Sequence, residues 1–398
     1  MKSSKLVIIF FVGLIVLPSC FKDEDSTPDY IKKSKDFGGN GLDYGKRITR
    51  TNDGGYLLVG ASNSFGAGDK DVYVLKMDSD ANVLWEQTYG GSEDEEVRDL
   101  LKHPDGSYYI CGYTLSKGSG GADMMLIKIS AVGEEQYFKT YGNIYYDMAF
   151  SVELSAENNL LLSGYVTDAE SQVEHLNIRE VAPDGTVIRS SIFESDTAEM
   201  AQKSITLSDG YLFSGKAIFS EDNTDILLFK TDFQGNMLWK KRFGGPGIDE
   251  TPDMIETNTG NFILAGFSGS FHENRNNDLY LLEVSANGDS LTSSHYGKTE
   301  TWDFEEGYAI MKSSTNEYFV SGRTKDAILV VKANANLEIT HEAVYGREFL
   351  DYTAIGYDMY EKPDQTIAVV GGQPFSQEGD MIYVEIEPDT MEEIVEGE

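Results

Sequence analysis

Gly55-Tyr56-Leu57-Leu58-Val59-Gly60 decides how this chain is read. A short apolar and aromatic run follows a polar turn and ends on glycine. The phrase returns as Tyr108-Tyr109-Ile110-Cys111-Gly112, Leu160-Leu161-Leu162-Ser163-Gly164 and Tyr211-Leu212-Phe213-Ser214-Gly215. It returns again as Phe262-Ile263-Leu264-Ala265-Gly266, Tyr318-Phe319-Val320-Ser321-Gly322 and Ile367-Ala368-Val369-Val370-Gly371. The closing glycines are spaced by 52, 52, 51, 51, 56 and 49 residues. Self-similarity at such a period marks a repeat architecture, in which each unit buries its apolar faces against its neighbours.

One unit reads as four strands. Lys46 to Thr51 has strand length, and Asn52-Asp53-Gly54 is a tight-turn signal. Tyr56 to Ser62 forms the second strand, Ser64 to Gly68 a loop, and Asp71 to Met77 a third strand rich in β-formers. Val83 to Tyr89 closes the unit. The third strand recurs from Asp123, Glu174, Asp225, Asp278, Asp326 and Asp380. The last copy lacks a fourth strand, because residues 389–398 are too acidic to join a sheet. Tyr30 to Phe37, followed by Gly38-Gly39, matches the fourth-strand ending Tyr89-Gly90-Gly91. The reading is all-β: a seven-bladed propeller of four-stranded antiparallel blades over residues 30–388, closed by the N-terminal strand completing the last blade. The unit, with Asp53-Gly54-Gly55-Tyr56, resembles the repeats of secreted bacterial β-propellers. That resemblance implies a fold and no particular activity, since propellers host enzymes, receptors and scaffolds alike.

The leader has its own logic. Lys2 and Lys5 precede an apolar run from Leu6 to Leu17, the length of a signal-peptide core. Leu17-Pro18-Ser19-Cys20 resembles a bacterial lipobox. The resemblance implies a lipoprotein signal peptide over 1–19 and a lipidated Cys20 opening a tether over 20–29. Acyl chains such as palmitate on that cysteine would hold the membrane stably. Phe21-Lys22-Asp23-Glu24-Asp25 resembles the surface-export signal of Bacteroidota lipoproteins, which implies display on the outer face of the outer membrane. An ordinary signal peptide followed by a solvated linker is the alternative.

Composition narrows the partners. A formal charge of −35 repels phosphate backbones, so nucleic acid is excluded as a partner and cations are favoured. Two cysteines in different contexts give no disulfide framework, and Cys111 reads as a core thiol. The five histidines fall in different repeats without metal-ligand spacing, and no nucleophile elbow is present. Asp78-Ser79-Asp80-Ala81-Asn82 has the oxygen spacing of a calcium loop without its later glutamate, and reads as an Asx turn.

Two sets of acids recur. Asp43, Glu95, Asp147, Glu199, Asp249, Asp303 and Asp351 precede the innermost strands, and Asp71, Asp123, Glu174, Asp225, Asp278, Asp326 and Asp380 open the third strands. Both are expected on one face, with the first set nearer the axis. Such acids either fix turns by accepting backbone N–H bonds or form a mouth for Ca2+ or a cationic ligand. Tyr44, Tyr145, Tyr146, Trp302 and Phe304 share these loops. Rings beside acids suit sugars, with Trp302, Tyr146 and Tyr44 as the candidates. The function expected is non-catalytic: a surface-displayed binding or scaffold module for a glycan, protein or cation, with no cofactor beyond Ca2+. The alternatives are a carbohydrate-active enzyme using paired carboxylates at the channel mouth, or a structural accessory of an outer-membrane complex.

Overall fold

The computed structural model describes residues 31–271, 276–297, 304–325, 327–345, 354–374 and 378–391. Their regular structure is 28 β-strands. Five sheets hold four consecutive antiparallel strands each, and a sixth joins two such ladders through one residue pair, Tyr44 with Gly372. The first of these two ladders comprises Asp43–Arg50, Tyr56–Ser62, Asp71–Met77 and Val83–Tyr89. The other takes three strands from the end of the chain and one from its start. Ile31–Phe37 pairs antiparallel with Met381–Ile386, placing Phe37 opposite Met381.

The leading strand of each ladder packs beside the leading strand of the next. They run Asp43–Arg50, Glu95–Lys102, Asp147–Leu154, Ala198–Thr206, Asp249–Glu256, Glu306–Lys312 and Ile355–Glu361, and the last packs against the first. Three third strands start elsewhere than the acids suggest: at Asn223, Ile328 and Met381. The first of these is longer because Ser220 and Asn223 extend the hairpin pairing to its tip.

Burial follows position within a ladder. Second and third strands such as Tyr56–Ser62 and Asp71–Met77 are buried along their whole length, whereas the fourth, Val83–Tyr89, is mostly exposed or half-buried. The apolar core lies between sheets: Leu57, Val59, Val72 and Val74 cluster with Val97, Ile110, Met125 and Ile127 of the next. Cys111 is buried in such a cluster, and desolvation pushes its thiol well above the usual range, consistent with a packing role. At the start of the acidic C-terminal segment Met391 is buried, in the cluster that holds Val384 and Ile386.

The repeated glycine has a steric cause. Every leading strand carries a register shift, between Gly45 and Arg47, Val97 and Asp99, Ala149 and Ser151, Ala201 and Lys203, Glu250 and Asp253, Gly307 and Ala309, and Gly356 and Asp358. The bulge drives a carbonyl oxygen toward the second strand. A methyl on Gly60, Gly112, Gly164, Gly215, Gly266, Gly322 or Gly371 would overlap the carbonyl of Tyr44, Glu96, Met148, Met200, Glu250, Glu306 or Ile355 respectively. Only a residue without a Cβ lets the backbones approach this closely.

Gly164→Ala is therefore expected to destabilise by about 1–3 kcal/mol through overpacking against backbone. Ser163→Ala beside it removes a buried hydroxyl that has no partner and should be close to neutral. Urea unfolding of the two variants checks the contrast. Deleting residues 31–37 bares the paired edge of Met381–Ile386. The expected result is a lower melting temperature and concentration-dependent association, read by calorimetry and light scattering.

Candidate functional site: the loop face and the axis

Loops entering the leading strands and loops joining second to third strands lie together. Asn63 donates its N–H to the Leu42 carbonyl at 2.9 Å, Leu115 to Asp94 at 2.8 Å, and Gly269 to Ile248 at 2.8 Å. The first set of acids fastens this face from beneath. The Asp43 carboxylate accepts from the Gly39 N–H at 2.7 Å and the Ser64 hydroxyl at 2.6 Å. Glu95 accepts from the Gly91 N–H at 2.8 Å and from Thr114. Asp147 accepts from the N–H groups of Asn143 at 2.5 Å and Thr167 at 2.9 Å. Asp249 takes the Gly245 N–H at 2.8 Å and the hydroxyls of Ser270 and Ser268. Glu199 differs: Lys240 and Arg242 hold it at 2.8 Å and 2.6 Å. All five are buried to 2% exposure or less. Asp43, Glu95, Asp147 and Asp249 cap turns, Glu199 sits instead in a double ion pair, and Asp43 keeps Oδ1 buried without a partner.

Two units depart from the five-residue spacing. Asp303, Asp351 and Trp302 lie outside the described residues, as does Cys20. By register the sixth unit places Glu305 at the capping position: its N–H bonds the Asn277 carbonyl at 2.9 Å and Thr324 donates to its carboxylate at 3.3 Å. Counting from Gly297 misses it because this unit has the longest glycine spacing, 56 residues. In the last unit the equivalent position is Ala354, so the ring of acids is interrupted there.

Two acids of the second set do similar work. Asp71 accepts from the Ala67 and Gly68 N–H groups, and Asp123 from Ser119. Burial raises the Asp123 carboxyl above its ordinary range, with Asp147 adding repulsion, and burial with Asp249 does the same to Asp225. The Asp78 carboxylate accepts the Asp80 and Asn82 N–H groups at 2.9 Å, the expected Asx turn. Among the described residues, no group of three or more His, Cys, Asp or Glu side chains is arranged to hold a metal ion.

Among exposed polar groups such as Asn63, Asp69 and Glu93, the loops also present apolar side chains to solvent. Tyr146 and Ile144 are 57% and 64% exposed, and Phe65, Leu115, Phe219 and Phe271 stand out from the same face. Tyr44 is instead buried and donates its hydroxyl to Glu96 at 2.5 Å.

Beneath the face, charged side chains gather on the leading strands. This was not anticipated from the loops. The residue after each bulge is Arg47, Asp99, Ser151, Lys203, Asp253, Ala309 or Asp358. Three of these acids staple neighbouring strands. Asp99 accepts the Leu100 and Val152 N–H groups, Asp253 those of Met254 and Ile310, and Asp358 those of Met359 and Ile48, at 2.9–3.1 Å. Each thus satisfies one N–H of its own strand and one of the next. Arg47 pairs with Asp99 at 2.9 Å and Lys203 with Asp253 at 3.6 Å.

Nearer the loop face the lining becomes aromatic. Tyr308 packs edge-on to Tyr357 at 5.6 Å and shares Glu306 with Arg323. The Lys46 amine sits 3.3 Å from the centre of the Tyr357 ring and 4.0 Å from Glu96. Burial lowers the Lys46 pKa to about 7 against the pull of Glu96, and Arg98, Arg47 and Lys70 add to the lowering. Burial also opposes ionisation of Glu96, yet Lys46 and Arg98 hold its carboxyl below the usual range. Burial outweighs Arg47 at Asp358 and raises that carboxyl to about 6.

The architecture has relatives of known structure. The WD40 domain of Pan2 from Neurospora crassa matches with a TM-score of 0.53 at 8% identity, over 86% of this chain and 89% of that one. BBS1N, from its complex with ARL6DN, matches with a TM-score of 0.50 at 10% identity, over 90% of this chain and 97% of that one. WD40 repeats are propeller blades, and the fold here is a β-propeller. At these identities the likeness concerns the fold alone. No family model and no curated protein matches the chain.

Lys46 gives the axis a measurable signature. Between pH 7 and its ordinary 10.5 the folded protein holds the neutral amine while the unfolded chain holds the ammonium. The unfolded state then binds more protons, so this group makes stability rise with pH across that window. Lys46→Met removes the contribution. Melting temperatures should show the variant gaining more on the wild type below pH 7 than at the top of the window.

Proposed function

We propose that the protein is a seven-bladed propeller, closed by its first strand, and that it serves as a non-catalytic binding module through its loop face. The observation that carries this reading is the pairing of buried carboxylates under the loops with exposed Tyr146, Ile144, Phe65, Leu115, Phe219 and Phe271 above them. Loops fixed from below lose little entropy when they engage a partner, and exposed rings on a rigid frame are common anchors for binding. The ligand is a macromolecule with apolar faces, a glycan or a protein, laid across the disc. A lipid on Cys20 would display that face at the surface of the outer membrane, as the leader's resemblance implies.

The enzyme reading ranks second. Its support is the pairing of unlike carboxyls, Asp123 raised beside Asp147 and Asp225 raised beside Asp249. The pairing recurs in two units and leaves Asp147 and Asp249 engaged by their turns, an arrangement suited to repeated structure rather than to one acid and one base.

Glycan-array and pull-down screens with the full-length chain test the proposal. The expected outcome is a ligand whose binding falls at least about tenfold in a Tyr146→Ser, Phe65→Ser double variant, the loss of two anchors worth roughly 1 kcal/mol or more each. Binding unchanged in that variant, with its melting temperature preserved, would remove the loop face as the site.

A further inference from the structure

The opposite end of the axis holds a cavity of about 520 Å³. It lies where three neighbouring leading strands end, at Tyr360, at Thr49 to Thr51 and at Lys102, and Asn52 and Gly54 of the first hairpin turn complete the wall. Its charged lining is cationic, Arg50 and Lys102, in a chain whose formal charge is −35. The Arg50 Nε is buried without a hydrogen-bond partner, and among the described residues no carboxylate lies in ion-pair contact with Arg50 or Lys102. Lys102 spends one donor on the Arg50 carbonyl at 2.9 Å, and its other two remain.

Nearby acids are committed elsewhere. Asp53 is taken by Lys76 at 3.0 Å, Glu385 by Lys362 and Tyr383 at 2.7 Å each, and Glu361 by Ser314. Two positive groups therefore face a polar cavity with no internal counter-charge. The fork of a guanidinium matches a planar or tetrahedral oxyanion, and an ammonium supplies a second contact. The Thr49 hydroxyl and the Asn52 amide can engage a hydroxylated body, against which the Tyr360 ring offers an apolar face.

We infer that this cavity is a second binding site, selective for a small hydroxylated molecule that carries a carboxylate or phosphate, such as an acidic sugar. It lies at the other end of the leading strands from the loop face. Calorimetric titration of the full-length chain with glucuronate, inorganic phosphate and glucose decides the matter. Glucuronate or phosphate should bind and glucose should not, and which anion binds more tightly identifies the headgroup. High salt should weaken binding. Arg50→Gln and Lys102→Met should each weaken it at least about tenfold, the scale of a charge-assisted contact, whereas Tyr146→Ser should leave it unchanged. If Arg50→Gln fails to fold, Lys102→Met and the salt series carry the test. No binding by either anion, equal binding of glucose, or a Lys102→Met chain that binds like the wild type would overturn the assignment.

Discussion

A carbonyl oxygen pressed against a glycine is the contact on which the rest of this molecule depends. In each ladder the leading strand bulges by at least one residue, and its carbonyl occupies the space where a Cβ would stand on the second strand. A bulge adds local twist and re-aims the side chains that follow it. Repeated around a ring, it gives each leading strand the same bend, so that each can lie beside the next and the last beside the first. The glycine is thus a packing requirement imposed by the partner strand. It is not a turn residue, and its neighbours in the phrase are buried aliphatic and aromatic side chains.

The bend has an electrostatic consequence. A leading strand is an edge strand, with N–H groups that no fifth strand satisfies. Asp99, Asp253 and Asp358 answer part of this by accepting N–H groups from two strands at once. The Asp358 carboxylate joins the ends of the chain in this way, since its partner Ile48 lies in the first ladder. A carboxylate buried for this purpose costs desolvation energy, visible as the rise of the Asp358 carboxyl to about 6. Where cations stand close, as Arg47 and Lys203 do at Asp99, the shift reverses despite burial. Part of the chain's acidity is therefore structural, used in turn caps on one face and in strand staples at the axis.

The periodic parts of this design were legible in the sequence. The glycine phrase located the second strands, Asp71-Val72-Tyr73-Val74 the third, and the match of Phe37-Gly38-Gly39 to Tyr89-Gly90-Gly91 identified the strand that pairs with Met381–Ile386. Five of the seven counted acids, Asp43, Glu95, Asp147, Glu199 and Asp249, stand at equivalent register positions, and accepting local N–H groups was the simpler of the two readings offered for them. What could not be read was anything set by register. A one-residue bulge leaves no mark in composition, so the line of Arg47, Asp99, Lys203, Asp253 and Asp358 was invisible as a line. Counting along the chain failed at Glu305 for the same reason: loop length changes without changing the register of the strand that follows. Met391 was missed because one apolar residue in an acidic segment carries no period.

Equivalent backbones carrying unequal side chains separate what is frame from what is specific. The capping position holds an acid in six ladders and alanine in the last. That recurrence fits a demand shared by most of the turns. The position after the bulge holds arginine, aspartate, serine, lysine, aspartate, alanine and aspartate in turn. No steric need common to all the ladders selects such a set, because the glycine contact already fixes the backbone. Divergence at these positions was free to follow charge, and it set two cations, Arg47 and Lys203, among three acids on the axis. Function in this frame is then expected where equivalent positions differ most, along the axis and at its two ends, while the repeated residues hold those ends in place.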